Sequence, residues 1–292
     1  MNDVIIYVAL ILFGAALGSF AAASVWRLRA RQLVADKKAG EEYDKKEYTR
    51  LKKIIAKPLN DHSQCLHCEY KLKWYDMIPI LSWLSLRGKC RNCRKPIGWF
   101  EFIMEIGLAA FFALSYAFWP GGIETSYEIV HFVLWLIAGV IMSILFSYDV
   151  KWYLLPDKLN LALAIVGLAI VGVRIAETGD VTGTLLSALL GVVILSGLYA
   201  LLYFVSKGRW VGFGDVKLNI GLALILVDWQ LALTALFLAN FIGCLIVIPL
   251  LATKKLERNS HVPFGPLLIA GTISAFFLGW IILDWYLSGI GF

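Results

Sequence analysis

Two aspartates stand where an apolar chain rarely places charge. Asp149 follows directly on the apolar run 128–147, in Ser147-Tyr148-Asp149-Val150-Lys151, with Pro156 and Asp157 close behind it. Asp215 opens the run 218–228, in Gly212-Phe213-Gly214-Asp215-Val216-Lys217. An ionisable group at membrane depth is expensive, so each one in or beside a span is a functional candidate. Two carboxylates sharing a site cannot both ionise easily, and one keeps its proton while the other stays charged. Such a pair can activate a water for attack on a peptide carbonyl and protonate the departing amine, with no covalent intermediate. Gly212 and Gly214 allow close approach of backbone to a substrate, and Pro156 fixes the turn after Asp149. The competing reading of either aspartate alone is a helix cap or a side chain reaching out to the interface. Gly-Phe-Gly-Asp is not a nucleotide loop, because no strand precedes it and no phosphate-binding pattern is completed. Asp228 and Asp284 fall at the opposite end of their runs, too far away to join the pair.

A second set of reactive residues is Cys65-Leu66-His67-Cys68 and Cys90-Arg91-Asn92-Cys93. Two C-x-x-C pairs are the pattern of a zinc ribbon, in which each pair sits on a tight knuckle and four thiolates close the shell of a structural zinc. On the cytoplasmic side thiols stay reduced, which argues against two disulfides. A closed four-thiolate shell leaves no open position for water or substrate, so a catalytic use of the metal is not expected. His67 reads as an exposed neighbour and Cys244, inside an apolar run, as a small packing residue.

The elements that must position these groups are membrane helices. Of the 292 residues 60% are hydrophobic and 11 are Trp, well above the apolar share of soluble domains, roughly half. Apolar runs near 4–26, 102–119, 128–147, 159–175, 182–205, 218–228, 230–251 and 265–285 suggest about eight spans, each near the roughly 20 residues needed to cross hydrocarbon. The sixth is the weakest, since Asp228 ends it early; it must be short, shielded by protein, or drawn from the preceding loop. The first run lacks preceding basic residues and is too long for a signal h-region, so it reads as a retained anchor. The net charge of +6 follows the membrane and not a nucleic acid. Segments 27–101, 148–158, 206–217 and 252–264 hold every Lys and Arg except Arg174. These are therefore cytoplasmic, with both termini outside. In that topology Asp149 and Asp215 lie at similar depth on the cytoplasmic face. The division expected is a first transmembrane helix over 1–28, a charged cytoplasmic tether over 29–60, read as a mixed-charge helix, a ribbon insert over 61–100 and a seven-helix core over 101–292.

At this point the chain resembles the type IV prepilin peptidase family over nearly its whole length. The resemblance is carried by the ribbon from Cys65 to Cys93 with Asp76-Met77-Ile78-Pro79 and Leu86-Arg87-Gly88-Lys89, by Asp149 with Leu155-Pro156-Asp157, by Gly212-Phe213-Gly214-Asp215-Val216-Lys217, and by Val262-Pro263-Phe264-Gly265-Pro266. It implies an all-α polytopic protein of the bacterial inner membrane, with Asp149 and Asp215 as the catalytic pair and Gly212, Gly214, Lys217, Pro156 and Asp157 in support. It implies prepilin or pseudopilin substrates, cut just after the glycine that ends a short basic leader. In many members with the cysteine insert it also implies methylation of the new N-terminus from S-adenosylmethionine, with Glu105 as a site residue. Here Ala22 stands where the family usually has asparagine, no proline follows Leu28, and Arg-Tyr-Pro is absent before Glu105. A protease without methyl transfer therefore stays open. An ion-coupled transporter would place its acids near mid-membrane, and a recruiting scaffold would need no acid pair.

Overall fold

Backbone polar groups in lipid must be satisfied within the segment, and the long apolar runs of this chain do so as helices. The computed structural model describes residues 2–55, 63–254 and 262–290; among them there is no β-strand, only two isolated bridges. Among the described residues, seven helices are long and apolar enough to cross a membrane. The chain divides into two compact units, Met1–Ala117 and Phe118–Phe292.

In the first unit α1 spans Asn2–Ala39. It is about 57 Å long at 1.5 Å per residue, well beyond the roughly 30 Å of hydrocarbon. The charged tether thus begins as a continuation of α1. It is not one helix, as expected, but two: the chain turns at Gly40, φ +75°, and restarts as α2, Lys45–Leu51. Asp44 caps α2 by accepting from Lys46 and Glu47 amides, which hold its carboxyl below the usual range. Leu51 packs on Ala30 and Leu33, and Arg29 pairs with Glu47 at 2.7 Å. Residues 56–60 of the expected tether lie outside the described residues.

α4, Phe100–Ala117, packs antiparallel on α1. Lipid tails are as apolar as leucine, so helices in a membrane associate by close contact at small residues. A Cβ on Gly14 would come 2.7 Å from the Leu108 carbonyl oxygen, and one on Gly18 2.5 Å from that of Met104. Between α1 and α4 lie a 3₁₀ turn at Trp74–Met77 and the short helix α3, Leu81–Ser85.

The second unit holds α5 (Ser126–Trp152), α6 (Asp157–Thr178), α7 (Val181–Val192), α8 (Leu198–Ser206), α9 (Phe213–Leu226), α10 (Trp229–Ala252) and α11 (Gly265–Ile290). A π-helical turn at Val193–Gly197 joins α7 to α8 in one span. α9 is the expected sixth span. Its 14 residues reach only about 21 Å, and it is walled in by protein, with Leu218, Asn219, Leu222 and Ala223 fully buried. It is therefore both short and shielded. A Cβ on Gly221 would come 3.0 Å from Leu163 and one on Gly167 2.6 Å from Leu224, so these glycines let α6 and α9 approach; Gly271 does the same for α11 on α10. Trp135 of α5 stacks on Phe276 of α11, with ring centroids 3.9 Å apart.

Overpacking costs about 1–3 kcal/mol per site, so Gly18→Val is expected to lower the melting temperature in detergent. Gly107→Val, on the same helix pair with open space at its Cβ, leaves it unchanged. Equal melting of the two variants would refute the close-packing account.

Candidate active site and metal centre

Asp149 sits in the last turn of α5, which Tyr153 ends in the left-handed conformation, φ +55°, with its amide bonded to the Asp149 carbonyl. This is the usual way a helix C-terminus uses up a free carbonyl. The Asp149 side chain is buried, 5% exposed, and its Oδ2 accepts from the amide of Gly265 at 3.0 Å. Gly265 opens α11, where first-turn amides lack an intrahelical partner. A Cβ there would stand 2.8 Å from the same Oδ2.

Asp215 is in the first turn of α9 and is 8% exposed. Its Oδ2 accepts from the Gly212 amide at 3.2 Å, the return bond of a capping box. Leu155 reaches into the space between the two motifs: a Cβ on Gly214 would meet it at 3.1 Å and one on Gly265 at 3.4 Å. Pro156 caps α6, and Asp157 in its first turn pairs with Lys217 at 2.7 Å. That pair is solvent-exposed and so contributes at most about 1 kcal/mol. α6 and α11 each pack against both α5 and α9, bringing the end of one to the start of the other, and the two carboxylates interact electrostatically.

One neighbour carries no local sequence signal. Tyr199, 3% exposed on α8, interacts with Asp215 and hydrogen-bonds Asn240. Its turn is held to α9 by Ser196, whose hydroxyl donates to the Val216 carbonyl at 2.8 Å. A π turn such as the one carrying Ser196 often marks a functional site, but nothing in the residue types announces it.

The four cysteines form one cluster. Cys65 and Cys93 Sγ atoms are 3.9 Å apart, as are those of Cys68 and Cys90, and all four lie within 4.8 Å of one another. A tetrahedron with metal–sulfur bonds of about 2.3 Å has edges of about 3.8 Å, whereas a disulfide needs about 2.05 Å. The spacing fits a metal held by four sulfurs. The two knuckles repeat one another. Cys65 and Cys90 amides donate to Tyr70 and Lys95 carbonyls, and Glu69 and Arg94 amides return to Cys65 and Cys90. Glu69 and Arg94 both adopt positive φ, 59° and 58°. The Tyr70 amide, with Asn92, brings the Cys68 thiol down to about 6, while burial pushes that of Cys65 up to about 12. A dication would reverse the latter, because a coordinating thiol is deprotonated outright. His67 is exposed and outside the cluster. Cys244, expected to pack, is exposed on α10 instead.

Glu105 lies on α4, 7% exposed. Its Oε2 accepts from the Ile80 amide at 2.7 Å, and it bonds the Ser19 hydroxyl. It shares the first unit with the cysteine cluster.

Comparison with known proteins gives a consistent result. Residues 12–119 match the model of the bacterial peptidase A24 N-terminal domain, and residues 136–248 that of the type IV leader peptidase family. Among curated proteins, the chain is 30% identical over 226 residues to a prepilin leader peptidase/N-methyltransferase of Stutzerimonas stutzeri, covering 77% of this chain and 72% of that one. It is 32% identical over 231 residues to one of Aeromonas hydrophila, covering 77% and 74%. No solved structure matches. A multi-pass helical chain with these similarities belongs to the type IV leader peptidase family and is a peptidase of that kind.

Proposed function

We propose that the chain is an aspartyl endopeptidase of the inner membrane that removes the basic leader of type IV prepilins or pseudopilins, cutting after glycine at the cytoplasmic face. The observation that carries the reading is a pair of buried carboxylates, each fixed by a glycine amide, on two helices that α6 and α11 both pack against. Prepilin is the substrate in the printed names of the relatives. Between them the two groups hold one proton. The charged carboxylate takes a proton from water as it attacks the scissile carbonyl; the protonated one donates, and the departing amine leaves protonated. Amide donors on Asp149 and Asp215 keep each carboxyl oriented for that exchange. The basic loops on one side of the spans put this face in the cytoplasm and both termini outside. A basic leader then stays in the cytosol while the following apolar helix lies in the bilayer, and the scissile bond arrives at the depth of the two aspartates. Acids at one membrane face, not mid-span, favour hydrolysis over ion-coupled transport.

The relatives' names also carry N-methyltransferase, and the reading includes methylation of the new N-terminus from S-adenosylmethionine, with Glu105 in that site. The four cysteines hold a structural zinc, which cross-links the two knuckles and takes no part in chemistry.

Asp149→Asn and Asp215→Asn are each expected to abolish cleavage of a prepilin peptide by the detergent-purified protein while leaving its melting temperature in place; full activity in either would overturn the assignment. Gly265→Ala pushes a Cβ against Asp149, and a displacement of that order costs up to about a hundredfold in turnover. Unchanged turnover would show that the Gly265 bond does not position the acid. Metal analysis should find one zinc per chain, lost in Cys65→Ser and Cys93→Ser; equal metal content in all three proteins would sink the zinc assignment.

A further inference from the structure

The polar insert between α1 and α4 leaves large apolar side chains uncovered. Trp74, Leu81, Leu84 and Trp99 are each more than half exposed, and Met77 and Ile78 are exposed as well. All of them lie outside the seven spans. Exposed apolar groups are ordinary on a helix that faces lipid, but a patch of them on a polar insert marks a contact surface. Residues 77–86 contain no charged residue, whereas Lys71 and Lys73 precede them and Arg87 and Lys89 follow, all four exposed. An apolar run of that length is too short to span and suits a core, re-entrant or interfacial segment. The exposure of this one rules out a core.

Its bonds to α4 set its depth. The Ile80 amide donates to Glu105 Oε2 at 2.7 Å, and Trp83 stacks on Phe102 with ring centroids 4.3 Å apart. The 18 residues of α4 make about 27 Å of helix against about 30 Å of hydrocarbon, so Phe100 at its start lies close to the hydrocarbon boundary. Glu105 is a further turn and a half in, about 7 Å, and Ile80 is held there with it. Ile103 and Ile106 of α4 are exposed at the same level of the span. Lipid offers no partners to polar groups, so a segment at that depth must satisfy its own. This one does. The hydroxyls of Ser82 and Ser85 donate to backbone carbonyls, as does the Trp83 indole, and the amides of Ser82, Leu84 and Leu86 donate to carbonyls four residues back. The neighbouring charge, Asp76, is turned inward to Arg91.

We infer that residues 74–86 are an interfacial anchor embedded in the leaflet at the Phe100 end of α4, the cytoplasmic one in the topology proposed above. Leu81 and Leu84 lie among acyl chains, and Trp74 and Trp99 sit at headgroup level, where amphipathic rings collect. Lys71, Lys73, Arg87 and Lys89 reach the phosphates, basic side chains being drawn to anionic headgroups. The other side of the segment, with Ser82, Trp83 and Leu86, lines a cavity of about 490 Å³ in the first unit. The stretch between the two cysteine knuckles is thus gripped from the lipid side as well as by Glu105.

The test uses the full-length protein with an encoded fluorescent amino acid in place of Leu84, reconstituted in vesicles of phosphatidylcholine and phosphatidylglycerol. Two quenchers are compared, bromine on the lipid acyl chains and iodide in the water. Position 84 is expected to lose most of its emission to brominated lipid and none to iodide. The same fluorophore in place of Lys95, exposed on the second knuckle, is the aqueous reference and shows the reverse. Iodide quenching at position 84 overturns the anchor, and so does brominated lipid that leaves its emission unchanged. If neither quencher reaches position 84, protein covers the face, a second copy for example, and the anchor is again overturned. The melting temperature in detergent reports the fold. Where the probe at position 84 lowers it, the probe is moved to Leu81 and judged by the same two quenchers.

Discussion

The second unit depends on one hydrogen bond, from the Gly265 amide to Asp149 Oδ2. Asp149 ends α5, where the helix dipole presents its negative pole and disfavours a carboxylate. Burying it there without a donor would be expensive. The start of α11 offers the remedy, since its first amides lack helical partners and carry the positive end of another dipole. Two unsatisfied groups from distant parts of the chain thus satisfy one another. Asp215 faces the opposite situation. It sits in the first turn of its own helix, where the field is favourable, and needs only the local Gly212 amide. The two acids of the proposed dyad are therefore held by unlike means, one by its own helix and one by a partner, and α11 is the element whose docking decides whether the pair exists.

That docking is set by small residues. Leu155 fits between Gly214 and Gly265, so the loop after α5 acts as a spacer between the motif on α9 and the start of α11. Gly167 and Gly221 let α6 and α9 approach, and Gly271 does so for α11 on α10. In lipid this is the available means of association, because burial of leucine against leucine gains little over leucine against acyl chains. Enclosing α9 has a further result: a helix too short to span hydrocarbon alone is tolerated because protein, not lipid, surrounds it. Asn219, completely buried one turn beyond Asp215, lies in that enclosure with neither of its side-chain polar atoms hydrogen-bonded.

What the sequence reveals of this arrangement is what local spacing can carry. The cysteine pairs announce themselves because a knuckle is built from consecutive residues, and both knuckles follow the same backbone pattern. The aspartates are visible because they interrupt apolar runs, and the long spans because they are long. The weakness of 218–228 as a span is legible too, and its cause is the enclosure of α9. The partner of Asp149 is different. Gly265 lies in a recognisable signature, but its bond to Asp149 joins segments 116 positions apart and no residue type predicts it. Tyr199 is equally silent, as an ordinary aromatic in an apolar run. Gly14 and Gly18 look like two glycines among many until α4 is seen against them. The tether misleads for a local reason: its charges favour helix, but Gly40 and the Asp44 cap divide it.

The first unit solves a different problem, that of ordering a polar segment with almost no core. The four-cysteine cluster brings two knuckles together, yet the stretch between them must rest on something else, and it rests on α4. Trp83 stacks on Phe102 with ring centroids 4.3 Å apart, and its indole donates to the Gly98 carbonyl. Glu105 takes the amide of Ile80, a β-branched residue held at φ +63°, where such residues are strained. Strain of that kind persists only when surrounding contacts over-determine it, and here the contact is a buried carboxylate from the membrane helix. Asp76, with its side chain 2% exposed and paired to Arg91 beside Cys90, ties the same stretch back to the second knuckle. The cluster and α4 thus hold opposite ends of one short segment. Because Leu66, Asp76 and Glu105 all border the same cavity, displacing either end of the segment changes the shape of that cavity.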